Sequence, residues 1–147
     1  RTVHIFVNYT ETIAELKRHL PEFPIISGDP QYSNPVYRQR VMDDAQYGRI
    51  PGTILNCAAG SESISLQDLT GEHPPESLIC PPDSPSRFVQ LLGRTDRVGG
   101  KSVPIARVVL AAGSEEPIYE RLAGKCHDIK HLLSADDLAL APVPRLD

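Results

Sequence analysis

The chain has 147 residues, 40% of them hydrophobic and 23% charged, the balance of a globular domain long enough to bury a core. A net charge of −4 excludes a grip on nucleic acid through bulk positive potential, leaving contact through loop amides and helix N-termini. No apolar run approaches membrane-spanning length, so no membrane partner is expected; Cys57, Cys80 and Cys126 are too scattered for a disulfide framework, which predicts an intracellular, reducing compartment, nucleus or cytoplasm.

Residues 1–7 lack a charged leader and cleavage site, and they enter almost directly on a strand; we therefore expect a domain cut from a longer polypeptide. Val3–Asn8 is an apolar run suited to a buried parallel strand. Thr10 reads as the N-cap of a helix whose face carries Ile13, Leu16 and Leu20 and which ends before Pro21. Phe23–Ser27 reads as a second strand, stopped by Gly28-Asp29-Pro30, and Val36–Tyr47 as a helix stopped by Gly48. Thr53–Ala59 is a third strand running into Gly60-Ser61-Glu62-Ser63, and Ser77–Cys80 a fourth. A helix through Arg97 follows, then a fifth strand, Ile105–Ala111. The last helix opens with Glu115-Glu116-Pro117 and buries Ile118, Leu122, Cys126, Ile129 and Leu133. Residues 1–134 form the domain, and 135–147, with Pro142 and Pro144, a tail or linker.

Strand alternating with helix predicts an α/β domain around a mostly parallel sheet. Ligands of such sheets sit beyond the carboxyl ends of the strands, so the loops after Asn8, Ser27, Ala59 and Cys80 should share one functional edge. Gln90, Arg94 and Arg97 are spaced i, i+4, i+7, which on a helix makes one polar stripe opposite Phe88, Leu91 and Leu92. Two arginines on one face, followed by Val98-Gly99-Gly100, form a fork able to hold phosphate oxygens; the plainer reading is a solvated amphipathic helix.

That spacing, Q-x-x-G-R-x-x-R, resembles motif VI of superfamily 2 helicases and translocases. It has companions in order. VHIFVNYTETIAELKRHL resembles motif IV with its following helix, and TILNCAAGSESISLQDLTG resembles motif V. From Val3 to about Leu138 the chain resembles the C-terminal RecA-like lobe of that superfamily, nearest to the Swi/Snf-like and strawberry-notch-like branches. The resemblance implies a three-layer RecA-like domain, its mostly parallel central sheet flanked by helices. It implies the second motor lobe of an ATP-dependent helicase, with ATP and Mg2+ held mainly by an upstream RecA-like lobe of the same polypeptide. Arg94 and Arg97 would stabilise charge on the γ-phosphoryl group, and Gln90 would orient the fork or contact phosphate. Gly60, Ser61 and Glu62 would face the cleft, and Asp68 would sit near the ribose or couple the cleft to the nucleic acid. Asn8, Tyr9, Thr10, Gly28 and Asp29 would contact DNA or RNA phosphates through amides and hydroxyls.

The chain has no G-x-x-x-x-G-K-S/T phosphate loop: Gly99-Gly100-Lys101-Ser102 mimics its end, but Thr95 stands at the first glycine, and the segment leads from helix to strand. No acidic metal-binding motif follows a strand, and Cys126 lies on the apolar stripe while His127 and His131, displaced from it, read as a solvated helix face, so no metal site is expected and the fragment alone should be inactive. A second reading is a degenerate RecA-like lobe that binds nucleic acid or protein without turnover. It draws on Ser63, where those branches usually carry glycine, and on Asp96, an acid able to pair with the fork. A third, an unrelated α/β nucleotide-binding domain, would need a glycine-rich loop after the first strand, where Asn8-Tyr9-Thr10 stands instead.

Overall fold

The computed structural model describes residues 1–60, 63–110, 117–122 and 124–125. Five strands, β1 (Thr2–Val7), β2 (Ile25–Ile26), β3 (Gly52–Asn56), β4 (Pro75–Ile79) and β5 (Ile105–Val108), form one sheet in the order β2-β3-β1-β4-β5. Every pairing in it is parallel. The central strand β1 sets His4 beside Thr53 of β3 and Ser77 of β4. Gly52 lies so close to β1 that a Cβ there would meet the Val3 carbonyl oxygen at 2.0 Å, so no larger residue fits.

Parallel strands need crossovers, and α1 (Thr10–His19), α2 (Pro35–Gln46) and α4 (Pro85–Leu92) supply them; the short α3 (Cys57–Gly60) follows β3. Glu11 in the first turn of α1 and Lys17, Arg18 and His19 in its last complement the helix dipole. Asn34 caps α2, accepting from the Val36 and Tyr37 N–H groups ahead of Pro35. Gly48 ends α2 at φ 65°, packed against the His73 ring where a side chain would collide.

The sheet is covered on both faces. Ile13, Leu16 and Leu20 of α1 pack with Val7, Phe23, Ile25 and Ile54 on one. On the other, Val41 and Ala45 of α2 and Phe88 and Leu91 of α4 close over Phe6, Ile26, Leu55 and Ile79, joined by Leu122. Residues 117–122 are helical and bury Tyr119 and Leu122, whereas Ile118 is only half-buried. Cys126, Ile129 and Leu133, both histidines near them and the 135–147 tail lie outside the described residues.

Several expectations need correction. β3 stops at Asn56 rather than Ala59, because the Asn56 side chain accepts the Ala58 N–H at 2.9 Å and starts α3. The N-cap of α1 is Tyr9, and Thr10 is its first helical residue, its hydroxyl turned to Glu11. β5 ends at Val108. Cys57 and Cys80, whose apolar strand-like contexts both read as buried, differ: Cys57 is buried, its thiol pushed up to about 12 chiefly by desolvation, whereas Cys80 is half-buried. Most consequential, α4 ends at Leu92, with Gly93 as its C-cap and a tight turn carrying Arg94 and Thr95.

Candidate functional site

The chain leaves β1 for β2 at one edge of the sheet and leaves β4 for β5 at the other, so the winding reverses between β1 and β4. Asn8 stands at that point, its side chain donating to the Pro81 carbonyl at 2.8 Å and its own carbonyl accepting from Asn56. The loops following β1, β2, β3 and β4 therefore share the carboxyl edge. A cleft of about 320 Å³ opens there, lined by Thr10, Ser27, Gly28, Asp29, Arg38, Asn56, Ala58 and Ala59. Asp29 accepts the Gln31 N–H, and Gly28 has open space around it. Arg38 fixes the cleft wall by donating to the Ser27 carbonyl at 2.8 Å and the Tyr32 carbonyl at 3.4 Å. Tyr9, 66% exposed, stands beside this cleft at the start of α1. A larger groove of about 590 Å³ runs along the outside of α2 between Val36 and Arg49, but none of the predicted site residues lines it.

The arginines lie elsewhere. α4 leaves the carboxyl end of β4 and returns toward the amino end of β5, so the turn beyond Leu92 falls on the far side of the sheet from the cleft. Because the helix has ended, Gln90, Arg94 and Arg97 do not form one stripe: Gln90 is exposed on α4, Arg94 is only 6% exposed, and Arg97 points outward. Both arginines nevertheless engage one segment. Arg94 Nη1 donates to the Ile64 carbonyl at 3.3 Å, and Arg97 Nη1 donates to Ser65 Oγ at 2.8 Å while its Nε reaches the Gly93 carbonyl. Burial, and then the charge of Arg97, lowers the Arg94 pKa. The Leu66 N–H donates to the Arg94 carbonyl at 2.9 Å, closing the segment against the turn.

Asp68 is buried beyond that segment. Its carboxylate accepts from Thr70 N and Oγ1, Gly71 N and His73 N at 2.7–3.1 Å. Burial opposes its charge, yet hydrogen bonds from Thr70 and Gly71 outweigh it and hold the carboxyl well below the usual range. The Asp68 carbonyl accepts the Lys101 N–H at 2.8 Å, tying this loop to the one after Arg97. Asp68 thus organises a loop and offers no exposed oxygen to a ribose. Gly60 ends α3 at the carboxyl edge; Ser61 and Glu62 lie outside the described residues. Ile64 and Ser65, on the way to Asp68, lie against the arginines. Ser65, Gln46, Arg38 and Asn56 escape a reading by local motif, because their partners are distant in sequence; only a terminal Asn beside a strand end hints at capping.

Among the described residues no group of three or more His, Cys, Asp or Glu side chains converges to hold a metal ion, and no helix is long and apolar enough to cross a membrane. Arg97 is exposed, and a guanidinium of that kind is able to pair with a phosphate oxygen.

No protein-family model matches the chain. It is 37% identical over 121 residues to a protein of Acanthamoeba polyphaga mimivirus named as an ATP-dependent RNA helicase; the match takes in 82% of this chain but only 22% of that protein. Among solved structures, it is similar over its whole length to the C-terminal part of the Fun30 ATPase domain (TM-score 0.64, 24% identity, 43% of that chain). A variant of S. cerevisiae Dbp5 bound to RNA and ADP BeF3 matches 86% of the chain (TM-score 0.61, 23% identity, 32% of that chain). The chain thus spans less than half of each, and the shared architecture is a RecA-like α/β lobe.

Proposed function

We infer from this fold, that of the C-terminal RecA-like lobe of superfamily 2 helicases, that the chain is the second motor lobe of an ATP-dependent nucleic-acid helicase or translocase. The observation that carries the reading is Arg97: exposed just past the C-terminus of α4, it is held by Ser65 and Gly93 while the rest of its guanidinium faces solvent. ATP would be held with Mg2+ mainly by an upstream lobe of the parent polypeptide, and its γ-phosphoryl group would face Arg97. Arg97 stabilises the charge that develops on it, a contribution worth ~10³–10⁵ in rate for an arginine finger. Arg94, buried against Ile64, holds the turn that presents Arg97 and adds its own positive potential.

Nucleic acid runs over the carboxyl edge. Asn8, Tyr9, Thr10, Gly28 and Asp29 meet its phosphates through amides and hydroxyls, which fits a chain of net charge −4 better than a basic groove would. Gly60, which ends α3 at that edge, stands five positions before Ser65 in the chain, so the cleft and the placement of Arg97 are close in sequence. The non-catalytic reading drew on Asp96 pairing with the fork, but Arg97 donates to Ser65 and Gly93 instead.

The test is ATP hydrolysis by the full-length parent protein with RNA and DNA supplied separately. RNA is the first candidate, given the mimivirus relative's name and the RNA bound to Dbp5. Stimulation by either polymer supports the motor; no hydrolysis with either one contradicts it and favours a binding module.

A further inference from the structure

We propose that Gln46, the last residue of α2, is a positioning residue for Arg97 that acts through Ser65; this rests on the assignment of Arg97 to the phosphate. Met42 and Gln46 stand at i and i+4, so they share a face of α2. That face holds Ser65 from behind. The Ser65 N–H donates to Met42 Sδ at 3.4 Å, and Gln46 Nε2 donates to the Ser65 carbonyl at 3.1 Å and, more weakly, to Gln67 Oε1 at 3.4 Å. The Gln46 carbonyl accepts the Leu69 N–H at 3.1 Å, pinning the far end of the same stretch.

Both backbone polar groups of Ser65 are thereby fixed to α2, and its hydroxyl is left to accept from Arg97. On the opposite side the stretch pairs with the Arg94 carbonyl, so residues 64–66 are clamped between helix and turn. A surface arginine held by nothing samples many rotamers. One fixed at Nε and Nη1 presents its other donors in a set direction, which lowers the cost of reaching the reactive geometry. Gln46 touches no phosphate in this scheme, so its loss acts on turnover and leaves nucleotide affinity alone. α2 begins beside the cleft, where Arg38 holds the Ser27 and Tyr32 carbonyls, and Gln46 is its other end.

The test uses the full-length protein with nucleic acid, comparing Gln46→Met, Ser65→Ala and the two combined. Gln46→Met keeps length and apolar contact while removing the donor. It should lower kcat about threefold to tenfold, the range of one lost hydrogen bond, with KM for ATP and nucleic-acid affinity unchanged and Tm lowered by no more than a few degrees. Gln46→Lys, which restores a donor of similar reach, should recover the rate. The double variant should be no slower than Ser65→Ala alone, because both act through one hydroxyl. Independent, multiplicative losses in the double variant, or a lowered Tm with kcat intact, would overturn the role of Gln46 while leaving Arg97 in place. Full activity in Arg97→Ala would overturn the assignment beneath it.

Discussion

Arg97 donates to the hydroxyl of Ser65 at 2.8 Å, a contact between residues 32 positions apart that joins the end of α4 to the segment descending from the carboxyl edge. Its neighbour Arg94 faces inward onto Ile64. Two arginines three residues apart therefore do different work: one builds the turn, the other is presented by it.

This division predicts opposite stability profiles. Arg94→Ala removes the donor to a buried carbonyl and leaves a gap behind the turn, at a cost of about 1–3 kcal/mol. Arg97→Ala, at an exposed position, should stay within about 0.5 kcal/mol of the wild type. Urea unfolding of the lobe measures both, and equal losses would contradict the split.

His4 predicts an acid-sensitive core. It is fully buried on β1 beside Thr53, whose hydroxyl meets its Nδ1 at 2.8 Å, and desolvation lowers its pKa from 6.5 to about 3. The unfolded chain therefore binds the extra proton first. The neutral ring's contribution is complete above about pH 6.5 and declines as the pH falls from there toward about 3, by up to ~1.4 kcal/mol per pH unit. In His4→Asn that part of the pH dependence should vanish between pH 6.5 and 4.5. The same slope in both proteins would contradict this burial.

Asp68 titrates in a lower window. Its depressed carboxyl contributes stability above the ordinary value of 3.8 that is lost as the pH falls through the folded value. Asp68→Ala frees the Thr70, Gly71 and His73 donors and should cost about 1–3 kcal/mol at pH 7. The gap between variant and wild type should narrow below pH 4, and a gap constant with pH would count against the carboxylate's role.

Ser63 is the single non-glycine residue at positive φ among the described residues, at 42°. Ser63→Gly relieves that strain at the expense of added freedom in the unfolded chain, for a net gain of up to ~1 kcal/mol. Ser63→Ala relieves nothing and should bring no gain. Melting curves of the two variants decide it: a Gly variant less stable than the Ala variant contradicts strain at this position.

The order of elements and the shared carboxyl edge could be read from the chain, because buried parallel strands appear as short apolar runs and Pro21, Gly28, Gly48 and Pro81 mark the stops. The motifs also pointed to both arginines. What could not be read was that Gly93 ends α4, since Gln90-x-x-x-Arg94-x-x-Arg97 keeps helical spacing past the point where helix exists. Asn56 likewise ends β3 through its own side chain, within an apolar run that looks unbroken. Ser65 and Gln46 gain their place only from packing between elements far apart in sequence, which no local pattern encodes.

The most direct test is the nucleic-acid-stimulated kcat of the full-length protein with Arg97→Ala, alongside its nucleotide and nucleic-acid affinities. A fall of about 10³-fold or more with both affinities and Tm preserved is the result expected of an arginine finger. Turnover within a few-fold of the wild type would contradict the account.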